Sequence, residues 1–123
     1  MNLETDIHNR ILLALCQAYH PHGIFWRQNA GRVRSDRGAW VSLGPTGISD
    51  VVGVVHGMPV FVEVKTATGK QRTGQKAFQV AVERAGGFYI VARSAEEALA
   101  GVREGLRVRD RGLEKLLKAS HAP

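Results

Sequence analysis

The sequence predicts an α/β domain with a mixed central sheet flanked by helices. Three observations lead there: an N-terminal stretch with an apolar residue every fourth position, two Val-rich runs joined by a turn signal, and a later helical period feeding an apolar strand. At 123 residues, 44% hydrophobic and 23% charged, the composition is that of one globular domain, residues 1–123, with no internal repeat or linker-like stretch.

Asn2 is a candidate cap for a helix from about Leu3 to Tyr19, where Leu3, Ile7, Ile11 and Leu15 form the stripe and Ala14 and Ala18 widen it. His20-Pro21-His22-Gly23 breaks it, and Ile24-Phe25-Trp26 reads as a short strand. Gln28 to Gly47 alternates glycine with arginine and reads as a long loop or irregular hairpin. Ile48–Val55 and Pro59–Lys65 are strands separated by His56-Gly57-Met58. A polar loop precedes a helix from Thr73 to about Ala85, with Phe78, Ala81, Val82 and Ala85 on one side and Gly86-Gly87 ending it. Phe88–Ala92 is a buried strand, Ser94 caps a helix to about Glu104, and Asp110 starts a last amphipathic helix.

Seventeen Lys and Arg against eleven Asp and Glu give a net charge of +6, which favours a polyanionic partner because each phosphate contact releases condensed counterions. Solubility alone is the plainer explanation. No apolar run is long enough for a membrane helix, and the N-terminus lacks the pattern of a signal peptide, so a cytoplasmic protein is expected. Cys16, the single cysteine, sits among Ile11, Leu12, Leu13 and Leu15 and is expected to be a buried structural thiol. The five histidines form no evident metal set.

The second Val-rich strand carries the chemistry. Side chains alternate, so Phe61, Glu63 and Lys65 share one face and Val60, Val62 and Val64 the other. With His56 and Gly57 as the turn, Asp50 falls opposite Glu63. Two carboxylates with Cβ atoms about 5 Å apart repel unless something positive lies between them. A hard divalent cation suits oxygen ligands, and a lysine beside it could neutralise a phosphate under attack or help activate water. A cross-strand cluster of Asp, Glu and Lys with no ligand is the alternative.

Asp50, twelve intervening residues and Glu63-Val64-Lys65 resemble the signature of the PD-(D/E)XK nuclease superfamily. The wider pattern is similar to its VRR-NUC branch across roughly residues 4 to 100: Gly47-Ile48-Ser49-Asp50, Gly69-Lys70, Gln75 with Phe78, Gly86-Gly87, and Ser94 to Ala98. Ser49 stands where the superfamily name shows proline. The resemblance implies a restriction-endonuclease-like core in which Asp50, Glu63 and the Val64 carbonyl hold Mg2+ or Mn2+, with Lys65 catalytic. It further implies that Gln75 approaches the site and that a helix-borne glutamate, here Glu4, reaches it. Gln75 could instead satisfy a backbone group at the helix start, and Glu4 could simply favour the helix dipole.

Arg27, Arg32, Arg34 and Arg37, flanked by Trp26 and Trp40, are candidates for gripping phosphates and stacking on bases, and Lys70, Arg72 and Lys76 could continue that track. Asn29 joins them through the family's Arg-x-Asn-x-Gly piece. The expectation is a metal-dependent DNA endonuclease in a bacterial or phage-infected cell, acting as a homodimer on four-way junctions as stand-alone relatives do. Its alternatives are a restriction-like or flap- and end-processing nuclease, and a basic DNA-binding module without chemistry.

Overall fold

The computed structural model describes residues 3–28, 32–42 and 50–120, so Asn2, Asn29 and Gly47-Ile48-Ser49 lie outside the described residues. Among the described residues the architecture is mixed α/β: three helices and a four-stranded mixed sheet, with a separate two-stranded ribbon. In chain order the elements are α1 (Leu3–Tyr19), β1 (Gly23–Arg27), β2 (Arg32–Arg34), β3 (Trp40–Ser42), β4 (Val51–Val55), β5 (Met58–Val64), α2 (Thr73–Arg84), β6 (Phe88–Ala92) and α3 (Ala95–Ser120).

The main sheet runs β1-β4-β5-β6. β1, β4 and β5 pair antiparallel, while β5 and β6 are parallel and need the α2 crossover between them. The β4–β5 hairpin turns on His56 and Gly57, both at positive φ (46° and 78°), as the primed two-residue turns require. That turn sets the register Val51↔Val62 through Val55↔Met58. The face bearing Val51, Val55, Val60, Val62 and Val64 packs with Ile11 and Leu15 of α1 and Ala98 and Val102 of α3, all essentially fully buried. At about 1.5–3 kcal/mol per buried aliphatic side chain, this layer supplies most of the favourable free energy of the fold. α2 covers the opposite face over β5 and β6, and ends in a Schellman turn. Gly86 at φ 90° donates to Glu83 O, and Gly87 donates to Val82 O.

One expectation about the chain's organisation is revised. The segment after Ser94 is one unbroken 26-residue helix, not two helices meeting between Glu104 and Asp110. Gly105 does not break it, because a Cβ there would stand 2.6 Å from the Phe88 ring, and the bare backbone lets α3 sit close on β6. Packing at that point offsets the roughly 1 kcal/mol that glycine costs a helix. The stretch read as a loop or irregular hairpin contains the β2–β3 ribbon, with Arg32 opposite Ser42 and a turn closed by Ser35 N–H to Ala39 O at 2.8 Å. No helix among the described residues is long and apolar enough to cross a membrane.

Candidate active site

Strand alternation puts Glu63 on the α2 face of β5, where it is completely buried. Its two oxygens have unequal surroundings. Oε1 accepts the Tyr89 hydroxyl at 2.5 Å and the Gln71 side-chain amide at 3.2 Å. Oε2 accepts no hydrogen bond, and the Lys65 ammonium stands 3.6 Å from it. That separation is well beyond the 2.7–2.9 Å or so of a charge-assisted hydrogen bond. Removing a carboxylate from water costs several kcal/mol, and one long ion pair offsets this poorly. The Oε2 edge is therefore a place where a further positive group would be favourable.

Tyr89 belongs to this arrangement. Burial raises its pKa, and the hydrogen bond it donates to Glu63 and the charge of that carboxylate push it the same way. The phenol consequently stays protonated and remains a donor to Glu63 throughout the neutral range. The parallel register explains its position, since Phe61 pairs with Tyr89 and places it on the Glu63 face one step away.

Asp50 immediately precedes β4. The hairpin register, extended one step past Val51↔Val62, brings it alongside Glu63. Its Oδ2 accepts the Val64 N–H at 2.8 Å, which fixes the carboxylate to the end of β5. Its carbonyl accepts the Gln28 N–H at 2.9 Å and the ring Nε2 of the buried His8 at 3.3 Å. Lys65 continues β5, its N–H bonded to Ala92 O at 3.0 Å and its side chain only 14% exposed. Asp50, Glu63, Val64 and Lys65 thus converge at one end of the sheet.

Beside them a polar cleft of about 250 Å³ is lined by Glu4, Lys65, Thr66, Gly69, Lys70 and Arg72. Glu4 is exposed, not part of the buried stripe, yet α1 carries it to the same cleft as Lys65. Gln75 is placed differently from its expected approach to the carboxylates. Its side-chain oxygen accepts the Arg72 N–H at 2.8 Å and closes the first turn of α2. Gln71, four residues earlier, reaches Glu63, and the same amide also donates to Gln79 at 2.9 Å.

Of the basic residues, Lys70 and Arg72 lie in the cleft. Arg27, Arg37 and Lys76 are exposed, and the Arg34 guanidinium lies 5.2 Å from the centre of the exposed Trp40 ring. Trp26 is also exposed, with its indole N–H donating to Gln28 at 3.2 Å. Arg32 contributes its backbone to β2, and its side chain lies outside the described residues. His20 and His22 flank the turn after α1, and the His22 ring stacks on His56 at 5.1 Å.

No family model matches the chain, and no curated protein is detectably similar to it.

Among the described residues no group of three or more His, Cys, Asp or Glu side chains is placed to hold a metal. Two carboxylates and a backbone carbonyl remain a chemically sufficient set for Mg2+, which commonly takes one or two carboxylates and keeps several waters. The fully buried Oε2 of Glu63, which accepts no hydrogen bond, is the feature that fits such an ion.

Tyr89, Gln71, His8 and Arg93 are the site residues that sequence reasoning missed. Tyr89 carried a signal: a phenol inside an apolar strand needs a partner for its hydroxyl. Arg93 holds the cleft loop by donating to the carbonyls of Thr66 and, at 2.8 Å, Gly69. Neither it nor Gln71 is marked by any local pattern, because their partners lie on other elements.

Proposed function

We propose that the chain is a Mg2+- or Mn2+-dependent deoxyribonuclease of the VRR-NUC type, with a restriction-endonuclease-like core. The observation that carries this reading is Glu63, buried without a hydrogen-bond partner on Oε2, beside Lys65 and next to an Asp50 fixed to Val64. Asp50 and Glu63, with the Val64 carbonyl, would hold the cation. When bound, the ion supplies charge neutralisation at the phosphate and lowers the pKa of water.

The protein's own groups do the rest. Tyr89 and Gln71 hold Oε1, so Glu63 presents Oε2 in a fixed direction. Lys65, largely shielded from solvent, directs an ammonium at the phosphate as negative charge builds on its oxygens. Glu4, which lines the same cleft as Lys65, would accept a proton from water there. Lys70 and Arg72 bind flanking phosphates and set the register of the strand. On the exposed surface, Arg34 with Trp40, Trp26, Arg27 and Arg37 offer cationic and stacking contacts to DNA near a branch.

In this reading the protein works as a homodimer that nicks four-way junctions in the cytoplasm, because two symmetric incisions suit a two-fold assembly. Cleavage of matched linear, flap and junction DNA, with and without Mn2+, tests it. Metal-dependent nicking of the junction in preference to the linear duplex is the expected result. Absence of cleavage on every substrate overturns the nuclease reading and leaves a DNA-binding module.

A further inference from the structure

Apart from the phenol of Tyr89, two polar or charged residues are buried among the described residues: His8 at 6% exposure and Glu63 at 0%. Glu63 belongs to the site already described, and His8 reaches the same end of the sheet from α1. The buried line of α1 is His8, Ile11 and Leu15, so the imidazole takes a core position that an aliphatic side chain would fill. Ile11 and Leu15 pack into the main apolar layer. An imidazole there costs stability unless its N–H finds an acceptor. That acceptor is the Asp50 carbonyl, 3.3 Å from His8 Nε2 and 42 residues away in the chain. A carbonyl can only accept, so Nε2 carries the proton.

Asp50 is held at three points, each from a different part of the fold. The Gln28 N–H, just past β1, donates to the same carbonyl at 2.9 Å, which gives that oxygen a donor for each of its lone pairs. The Val64 N–H on β5 donates to Oδ2 at 2.8 Å. The two carbonyl contacts fix the peptide plane from which the side chain departs, and the third fixes its rotation. Of the three donors, His8 is the one side chain. It also lies one turn after Glu4, which lines the cleft with Lys65. The His8 bond thus docks the helix that carries Glu4 onto the strand end that carries Asp50.

We propose that His8 is a positioning residue: through the Asp50 carbonyl, its Nε2–H holds the Asp50 carboxylate in the direction that a cation shared with Glu63 requires. This rests on the metal-binding reading of Asp50 and Glu63. His8 itself touches neither ion nor substrate and transfers no proton. Removing an outer partner of a ligating carboxylate typically weakens metal binding or activity by about 10–100-fold. A merely structural imidazole predicts the opposite pattern, because a leucine of similar volume would suit the apolar layer and change nothing at the site.

Three substitutions separate reach from volume. In His8→Gln the side-chain amide can place an N–H where Nε2 stands, in His8→Asn it falls short, and His8→Leu has no donor. Mn2+ binding to the full chain is measured by titration calorimetry without DNA. Hydrogen exchange of the Gln28 and Val64 amides is followed without metal. His8→Leu and His8→Asn should bind Mn2+ about tenfold more weakly than the parent, and His8→Gln should recover most of the affinity. His8→Leu should keep or raise the melting temperature while exchange at both amides quickens, and His8→Gln should slow that exchange again. Should His8→Leu not fold, the His8→Asn and His8→Gln pair carries the same comparison. Parent-like Mn2+ affinity in the variants without a reaching donor overturns the proposal and leaves the metal reading standing. So does a loss that His8→Gln fails to restore, or amide exchange that does not change. A parent protein that binds no Mn2+ overturns the metal reading and this proposal together.

Discussion

Val62 and Glu63 are neighbours on β5, both completely buried, and they face opposite sides of the sheet. On the Val62 side the contacts are aliphatic and non-directional, and any side chain of similar volume and polarity serves. On the Glu63 side a carboxylate is held by two donors on one oxygen and by a distant ammonium on the other. One side of the strand stabilises the fold through area removed from water. The other costs stability and makes a chemically specific position. Burial alone therefore does not say what a residue is for; the partners of its polar atoms do.

Exchanging these roles gives the largest expected effects. Val62→Asp places an unpaired charge in the apolar layer, at several kcal/mol against a total stability of about 5–15 kcal/mol, and should leave no cooperative unfolding transition. Glu63→Gln should do the reverse. The amide keeps an acceptor for Tyr89 and removes the buried charge, so thermal stability is expected to hold or rise while metal-dependent cleavage disappears. Lys65→Ala should likewise abolish cleavage, with DNA affinity largely retained because phosphate contacts elsewhere supply it. Parent-level cleavage in either variant would remove that residue from the active site.

A smaller effect sharpens the comparison. Tyr89→Phe deletes a donor to a buried carboxylate and should cost about 1.5–3 kcal/mol in denaturant unfolding at neutral pH. Its pH dependence has a definite sign. Because the phenol titrates above its ordinary value of 10.0 in the folded protein, its contribution is fully present below pH 10. Above that, the unfolded chain loses the proton first and the contribution falls. The stability gap between parent and Tyr89→Phe should narrow as pH rises past 10; a constant gap would mean the hydroxyl does not bond Glu63. The smallest expected change is at the cleft. Lys70→Ala and Arg72→Ala should each weaken DNA binding and lower the slope of log affinity against log salt by about 1, with little change in stability.

The strand that carries this contrast was legible because its signals are local. Alternation fixed which residues share a face, and a two-residue turn at His56 and Gly57 fixed the register that brings Asp50 to the end of β5. The spans of α1 and β6 followed from periodicity and from breakers at both ends. What escaped depends on partners distant in sequence. Gln71 and Gln75 look equivalent beside a helix start, and only the path of the cleft loop, held by Arg93, sends the first to Glu63 and leaves the second on Arg72. Gly105 looks like a helix stop until Phe88 is packed against it. The unevenly covered sheet was also invisible, because amphipathic helices announce that they have an apolar side without saying which surface it meets.

The parallel pairing of β5 with β6 has a consequence for how the protein matures during synthesis. β1, β4 and β5 are antiparallel neighbours and can assemble from a chain that has left the ribosome only as far as Gly87. Tyr89 arrives later, on a strand that docks only once α2 has formed the crossover. A nascent chain at that stage already possesses Asp50, Glu63 and Lys65, but the Glu63 carboxylate lacks the phenol that orients it. Glu63 Oε1 therefore gains its phenol donor only when β6 pairs with β5, after Asp50, Glu63 and Lys65 have been synthesised.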